Sequence, residues 1–287
     1  MARKFAASLW IWSDVSDAAK EEILFDKILS LGFDGVEIPS FDGNLNAKRI
    51  NELLSSAGKK RRLTPITIGG GSPQTDLSSE LESQRRLGED YVKKLVDASS
   101  KMGGSLVCGP LYSAVGAKKY LTERERSKLV NVVAKEFKGL ARYARDRSVR
   151  IALEPLCRYD TYLISTASQG RELVDRIGEE NIGMLLDTFQ MNIEEKSIKK
   201  AIDTAGDKLF HFHACENDRG TPGTGLIRWK DVKKGLKNIG YKDWISIESF
   251  VPFHGQFSSA MNVWRRIEEE QDEIAAEGLS FLRDLVA

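Results

Sequence analysis

Four residues of this 287-residue chain stand out for what their side chains could do together: Glu154, Asp187, His213 and Glu248. Each closes a short run dominated by apolar residues: RIALE, IGMLLD, LFHFH and WISIE. The intervals between them are 33, 26 and 35 residues, each the length of one strand-plus-helix unit. Three carboxylates and an imidazole gathered in one small volume need a cation, protons or solvent between them. All four are nitrogen or oxygen donors with no thiolate among them. That donor set suits a hard or borderline divalent ion, Mn²⁺ first, then Co²⁺ or Mg²⁺, with zinc behind these. The competing reading pairs one or two of the groups with Lys or Arg, away from any metal.

The elements that must position these residues alternate along the whole chain. Strand-like runs fall at 5–10, 35–40, 63–70, 105–111, 150–156, 182–188, 209–215 and 244–250. Amphipathic stretches separate them. In AAKEEILFDKILSLG, Ile23, Leu24, Ile28 and Leu31 are expected on one helical face, and GEDYVKKLVDASSKMGG ends in the glycines that follow a helix C-terminus. Eight units of about 36 residues predict an α/β fold, a closed (β/α)₈ barrel forming a single domain over residues 1–287. A doubly wound open sheet would normally carry a glycine-rich turn after its first strand, and LWIWSDVSD has no glycine. In a barrel the strand C-termini ring one mouth, where catalytic groups collect. Alternation places His211 and His213 on one face of the seventh strand, with Leu209 beside them and Phe210 and Phe212 toward the helices. It also turns Ile245 and Ile247 outward if Glu248 faces in.

Composition narrows the classes. The chain has 43 basic and 42 acidic residues, so no global field draws it to nucleic acid or to an anionic membrane. No apolar run reaches the roughly 18 residues of a membrane span. Asp14 and Asp17 interrupt the N-terminal apolar run, which therefore reads as a first strand and not as a signal peptide. Three widely spaced cysteines, Cys108, Cys157 and Cys215, fit a reducing, cytoplasmic setting and buried thiols.

The segments ALEPLCRYDT, LLDTFQMNIEE, HFHACENDRG and WISIESF resemble those of the ketose 3-epimerases, the D-tagatose and D-psicose (allulose) 3-epimerase group of the xylose-isomerase-like barrels. The resemblance covers essentially the whole chain and is most specific in its second half. It implies that Glu154, Asp187, His213 and Glu248 are metal ligands. It further implies that Glu154 and Glu248 are the acid/base pair that inverts C3 of a free ketose through an enediolate. Arg219 matches the family's substrate-binding arginine, and a homodimer or homotetramer is implied. Three positions depart from the family pattern: Gln190 stands where His is usual, Asp160 where Glu is usual, and Cys157 where Asn is usual. The His and Glu positions contact the C1–C3 end of the sugar. The resemblance therefore implies intact enolisation chemistry and admits a different sugar. Candidates are another ketohexose or ketopentose, or a 3-keto sugar or C-glycoside of the kind handled by C-glycoside deglycosidases. A phosphorylated sugar is disfavoured, since SFVPFHGQFSS after the eighth strand contains no Lys or Arg.

Other residues keep two readings. Trp12, which matches a family aromatic, and Trp10 either stack on a sugar face or pack in the core. Glu37 is either a substrate-contacting pocket carboxylate or the buried partner of a basic group. His211 is expected to be a hydrogen-bonded structural histidine and His254 a surface loop residue. A metallo-endonuclease of the same superfamily needs many histidines, and this chain has 3. A non-catalytic carbohydrate-binding barrel would have little reason to hold a complete ligand set.

Overall fold

The computed structural model describes residues 3–13, 18–56 and 62–287; Asp14 and Asp17 lie outside the described residues. Eight parallel strands close into one barrel in sequence order: β1 Lys4–Ser8, β2 Gly35–Pro39, β3 Thr64–Ile68, β4 Leu106–Gly109, β5 Arg150–Leu153, β6 Ile182–Asp187, β7 Leu209–Ala214 and β8 Trp244–Ile247. The ring is completed by β1 against β8, where Ala6 faces Ser246 and Ala7 faces Ile247. Strands covered on both faces are apolar throughout, which is why each reads in the sequence as a run and not as an alternation.

Two buried layers follow from strand alternation. Ala6, Ile66, Ile68, Leu106, Cys108, Ala152, Leu185 and Trp244 fill the barrel interior. Val36, Ile38, Val107, Ile151, Ile245 and Ile247 face the helices, so Glu248 is turned inward as the alternation requires. At the close of β4, Gly109 adopts φ 119° and its α-carbon approaches the Gly69 carbonyl too closely for any side chain. Only glycine fits there, and the Gly109 carbonyl then accepts from the Glu154 backbone N–H at 3.1 Å, fixing where β5 delivers its carboxylate.

Two local expectations are corrected. On β7, Phe210 packs with the interior group and Leu209 with the outer one. The register of β6 against β7 shifts between Met184 and Leu185. Gly183 leaves the space that the Phe210 ring fills, 2.5 Å from where a β-carbon would sit. In the helix Ala18–Leu31, Phe25 and Ile28 are buried and Ile23 points to solvent. Five residues of helix turn Ile23 about 140° away from Ile28. The helix Glu82–Met102 ends at Gly103 with φ 79°, the left-handed cap the glycine pair announces.

Candidate metal centre

Glu154 follows β5 directly, Asp187 ends β6, His213 lies near the end of β7 and Glu248 follows β8 directly; all four are buried. Glu154, Asp187 and His213 each offer a ligand atom within 4.8 Å of the others. Glu248 stands outside that trio but reaches the same imidazole. Its Oε1 is 3.5 Å from His213 Nδ1, and Asp187 Oδ2 is 3.6 Å from that nitrogen.

Asp187 and Glu248 are each anchored through one oxygen and turn another toward His213. Asp187 caps the helix Thr188–Glu194 through Oδ1, which accepts from the N–H groups of Phe189 at 2.6 Å and Gln190 at 3.1 Å. Its Oδ2 accepts from Arg219 Nη1 at 2.8 Å, and the same Nη1 donates to Glu248 Oε2 at 2.9 Å. The guanidinium lies between two rings, 4.1 Å from the centroid of Phe189 and 5.0 Å from that of Phe250. Arg219 itself is left-handed at φ 69°, and Ser249 Oγ donates to its carbonyl at 2.7 Å.

Electrostatics differ sharply around the ring. Burial raises the Glu154 carboxyl well above the usual carboxylate range, and the charge of Glu248 pushes it the same way. Burial also opposes ionisation of Asp187, but Arg219 and His213 outweigh it and hold that carboxyl low. Burial would lower His213, yet the charges of Glu37 and Glu248 raise it well above the ordinary imidazole range. The site thus calls for positive charge at its centre. Among the described residues His213 Nδ1 is fully buried without a hydrogen-bond partner and faces two carboxylate oxygens. An orphaned nitrogen among inward carboxylates fits an oxygen/nitrogen-ligated divalent cation.

The other expected site residues are placed as follows. Gln190 is buried, and its Oε1 accepts from the Cys157 N–H at 2.7 Å. That bond settles the amide orientation, because only the oxygen can accept. Its NH₂ group is thereby turned away from the Cys157 N–H. Asp160 is half-buried in the loop after β5, where Cys157 Sγ approaches its Oδ2 at 3.5 Å. The buried Tyr112 phenol, raised first by burial, feels the charges of both Glu154 and Asp160, which places all three in one neighbourhood. Trp12 and Glu37 are each held by partners away from Gln190 and Asp160. Trp12 donates its indole N–H to Asp272 Oδ1 at 2.6 Å and packs against the outer core. It is Trp10 that turns inward, stacked on Phe41 with Phe250 and Phe257 at centroid distances of 5.6 to 6.1 Å. Glu37 has no exposed surface and lies between two imidazoles, its Oε1 2.6 Å from His211 Nε2 and 2.9 Å from His213 Nε2.

Glu216 was not singled out from the sequence. It is fully buried, and its carboxylate accepts from the N–H groups of Gly223 at 2.9 Å, Ile227 at 3.1 Å and Asn217 at 3.3 Å, and from Trp229 Nε1 at 2.6 Å. It fastens the loop that carries Arg219. The signal available was an acid ahead of the turn-rich TPGTG, with a Trp at the start of the next helix.

Comparison with known proteins matches residues 25–285 to the family described as xylose isomerase-like TIM barrel. The chain is 33% identical over 285 residues to a probable ketose 3-epimerase of Synechocystis sp., covering 98% of this chain and 96% of that protein. It is 34% identical over 258 residues to a D-psicose 3-epimerase of Ruminiclostridium cellulolyticum, covering 86% and 84%. Among solved structures, a D-allulose 3-epimerase from Methylomonas sp. superposes with a TM-score of 0.92 at 29% identity, over 99% of this chain and 100% of that one.

Proposed function

Because the chain belongs to the xylose isomerase-like TIM barrel family, we propose that it is an isomerase that inverts C3 of a free ketose. The observation that carries this reading is the placement of Glu154 and Glu248. They stand at the ends of β5 and β8, three places apart around a ring of eight, and so face each other across the mouth. A sugar carbon held between them meets one carboxylate on each face. One glutamate takes the C3 proton to give an enediolate, and the other returns a proton from the opposite side, which inverts the centre. The closeness of the relatives over nearly the whole chain supports the same reaction.

Glu154, Asp187, His213 and Glu248 would hold a divalent cation, Mn²⁺ before Co²⁺ or Mg²⁺. When bound, it would supply Lewis-acid polarisation of the ketose carbonyl and so acidify the neighbouring C–H. Arg219 binds a sugar hydroxyl or the developing oxyanion while fixing Glu248 through Oε2. The Gln190 NH₂ and the Asp160 carboxylate contact the C1–C3 end. The reading carries a small free sugar as the only partner, with neither nucleic acid nor membrane involved. Among the described residues no helix is long and apolar enough to cross a bilayer. It also carries a cytoplasmic setting, supported by three free, buried cysteines, residues 1–287 acting as one domain, and a homodimer or homotetramer.

The test is proton exchange. Protein stripped of metal and reloaded with Mn²⁺ is incubated in D₂O with D-fructose, D-psicose, D-tagatose and L-sorbose in turn, and proton NMR follows C3. Deuterium at C3 with appearance of the 3-epimer is expected for at least one sugar. Exchange confined to a 3-keto glycoside would replace the free-ketose assignment.

A further inference from the structure

We infer that Glu37 is a positioning residue of the metal centre: it sets the tautomer and ring orientation of His213 from beneath, so that Nδ1 is delivered to the cation. The inference rests on the metal-dependent reading above and assigns a role to a residue that touches no substrate.

Glu37 lies in the middle of β2, and β2 and β7 are three places apart around the ring, so its side chain crosses the barrel interior to reach the histidines. A carboxylate enclosed there persists only with partners. Its partners are His211 Nε2 at 2.6 Å and His213 Nε2 at 2.9 Å, both on the same oxygen. A carboxylate oxygen only accepts, so both Nε2 atoms carry hydrogen. For His213 that makes Nδ1 the nitrogen that carries the lone pair when the ring gives up a proton to a cation. Nδ1 points at Asp187 Oδ2 and Glu248 Oε1, and it lacks a hydrogen-bond partner. The His211 ring stands edge-on to His213 at 81°, with centroids 5.0 Å apart, and shares the same Glu37 oxygen. The negative charge of Glu37 behind the imidazole raises the basicity of Nδ1 toward a cation.

Glu37, Cys108, His211 and His213 also form a group whose ligand atoms lie within 4.8 Å of one another. The spacing of its nitrogens and oxygen is that of hydrogen bonds. Two ligands on one tetrahedral cation sit roughly 3.3 Å apart, given bonds near 2.0–2.1 Å, so this layer orients a ligand and does not bind a second ion.

The experiment titrates metal-stripped wild type, Glu37→Gln and His211→Asn with Mn²⁺ by calorimetry, followed by kinetics at saturating Mn²⁺. Glu37→Gln keeps the volume and removes the charge. It is expected to weaken Mn²⁺ binding by about 10- to 100-fold, with turnover largely restored at saturation. His211→Asn removes an equally buried neighbour and leaves Glu37 on His213; its Mn²⁺ affinity is expected to stay within about threefold of wild type, since the orienting carboxylate survives. Equal affinities for wild type and Glu37→Gln overturn the inference, as does equal weakening in both variants, which would mark a packing effect. Two equivalents of Mn²⁺ bound by wild type also overturn it. If Glu37→Gln gives no cooperative unfolding, Glu37→Asp carries the same expectation, because its charge is withdrawn by about 1.5 Å. Absence of Mn²⁺ binding by wild type is the separate result that removes the metal-dependent reading together with this one.

Discussion

At the residue scale the site works by dividing each side chain between two tasks. Asp187 caps a helix with Oδ1 and faces the centre with Oδ2. Asn caps a helix about as well as Asp, but its NH₂ would stand against Arg219 Nη1, so Asp187→Asn should cost about 1–3 kcal/mol in denaturant unfolding. Mn²⁺ affinity and turnover should fall together, each by roughly 100-fold or more, since a charged ligand is lost; calorimetry and the exchange assay read the two. Arg219 is held as a flat cation between Phe189 and Phe250. Lysine has neither the fork nor the stacking plane, so Arg219→Lys should lower kcat/KM by about 10- to 100-fold, the range expected when one charge-assisted contact is lost, with Mn²⁺ affinity retained. Gln190 shows what residue types alone could not disclose. The sequence marked it as a changed sugar contact, but its oxygen is committed to the Cys157 N–H, a partner 33 residues away. Gln190→Leu should therefore cost about 1–3 kcal/mol in urea unfolding through the orphaned donor, whereas Gln190→Glu keeps the acceptor and should change KM more than stability.

At the scale of elements, the four buried groups at the strand ends were legible because parallel strands buried on both faces end abruptly where the mouth begins, and a polar residue at that boundary is conspicuous. Side-chain direction was less legible. The face of β7 depends on a register shift beside Gly183, and Trp10 and Trp12, both open between pocket and core in the sequence, part ways across a single 3₁₀ turn, Leu9–Ile11. Glu37 lay in an apolar strand with both of its readings open, and only the closure of the ring brings it to His213. The loop after β7 is the element that aims Arg219, and Glu216 is its fastener. Glu216→Gln would set an amide NH₂ against N–H donors. It should cost about 1–3 kcal/mol for an unsatisfied pair, read by denaturant unfolding, and should lower turnover by displacing Arg219.

At the scale of the whole molecule, barrel closure joins the first and last parts of the chain. Asp272, in the helix Gln271–Val286, receives Trp12 Nε1 and Lys27 Nζ at 2.6 and 2.8 Å, and Gln271 Nε2 donates to the Ile11 carbonyl at 2.6 Å. Burial opposes ionisation of Asp272, but the Lys27 and Trp12 donors outweigh it and depress its pKa. A depressed carboxyl stabilises the fold above its unfolded pKa, about 3.9, and that contribution is lost as pH falls through the lower folded value. Trp12 fluorescence should accordingly report loosening of this seam below about pH 4, and Asp272→Asn should remove that step. The closed ring was readable from eight repeats of one length; the seam was not, because its partners stand 245 and 260 residues apart.

The distribution of the site along the chain has an evolutionary consequence. Every group proposed to hold the cation comes after β5 begins, and among the described residues the first four strands reach the centre through Glu37, through Cys108 beside His213 and through the Gly109 carbonyl that receives the Glu154 N–H. The first half of the barrel can therefore be exchanged among relatives as a cassette provided Glu37, Cys108 and Gly109 are kept, and recombination within the family becomes a route to new sugar preferences that leaves the proposed reacting groups in place.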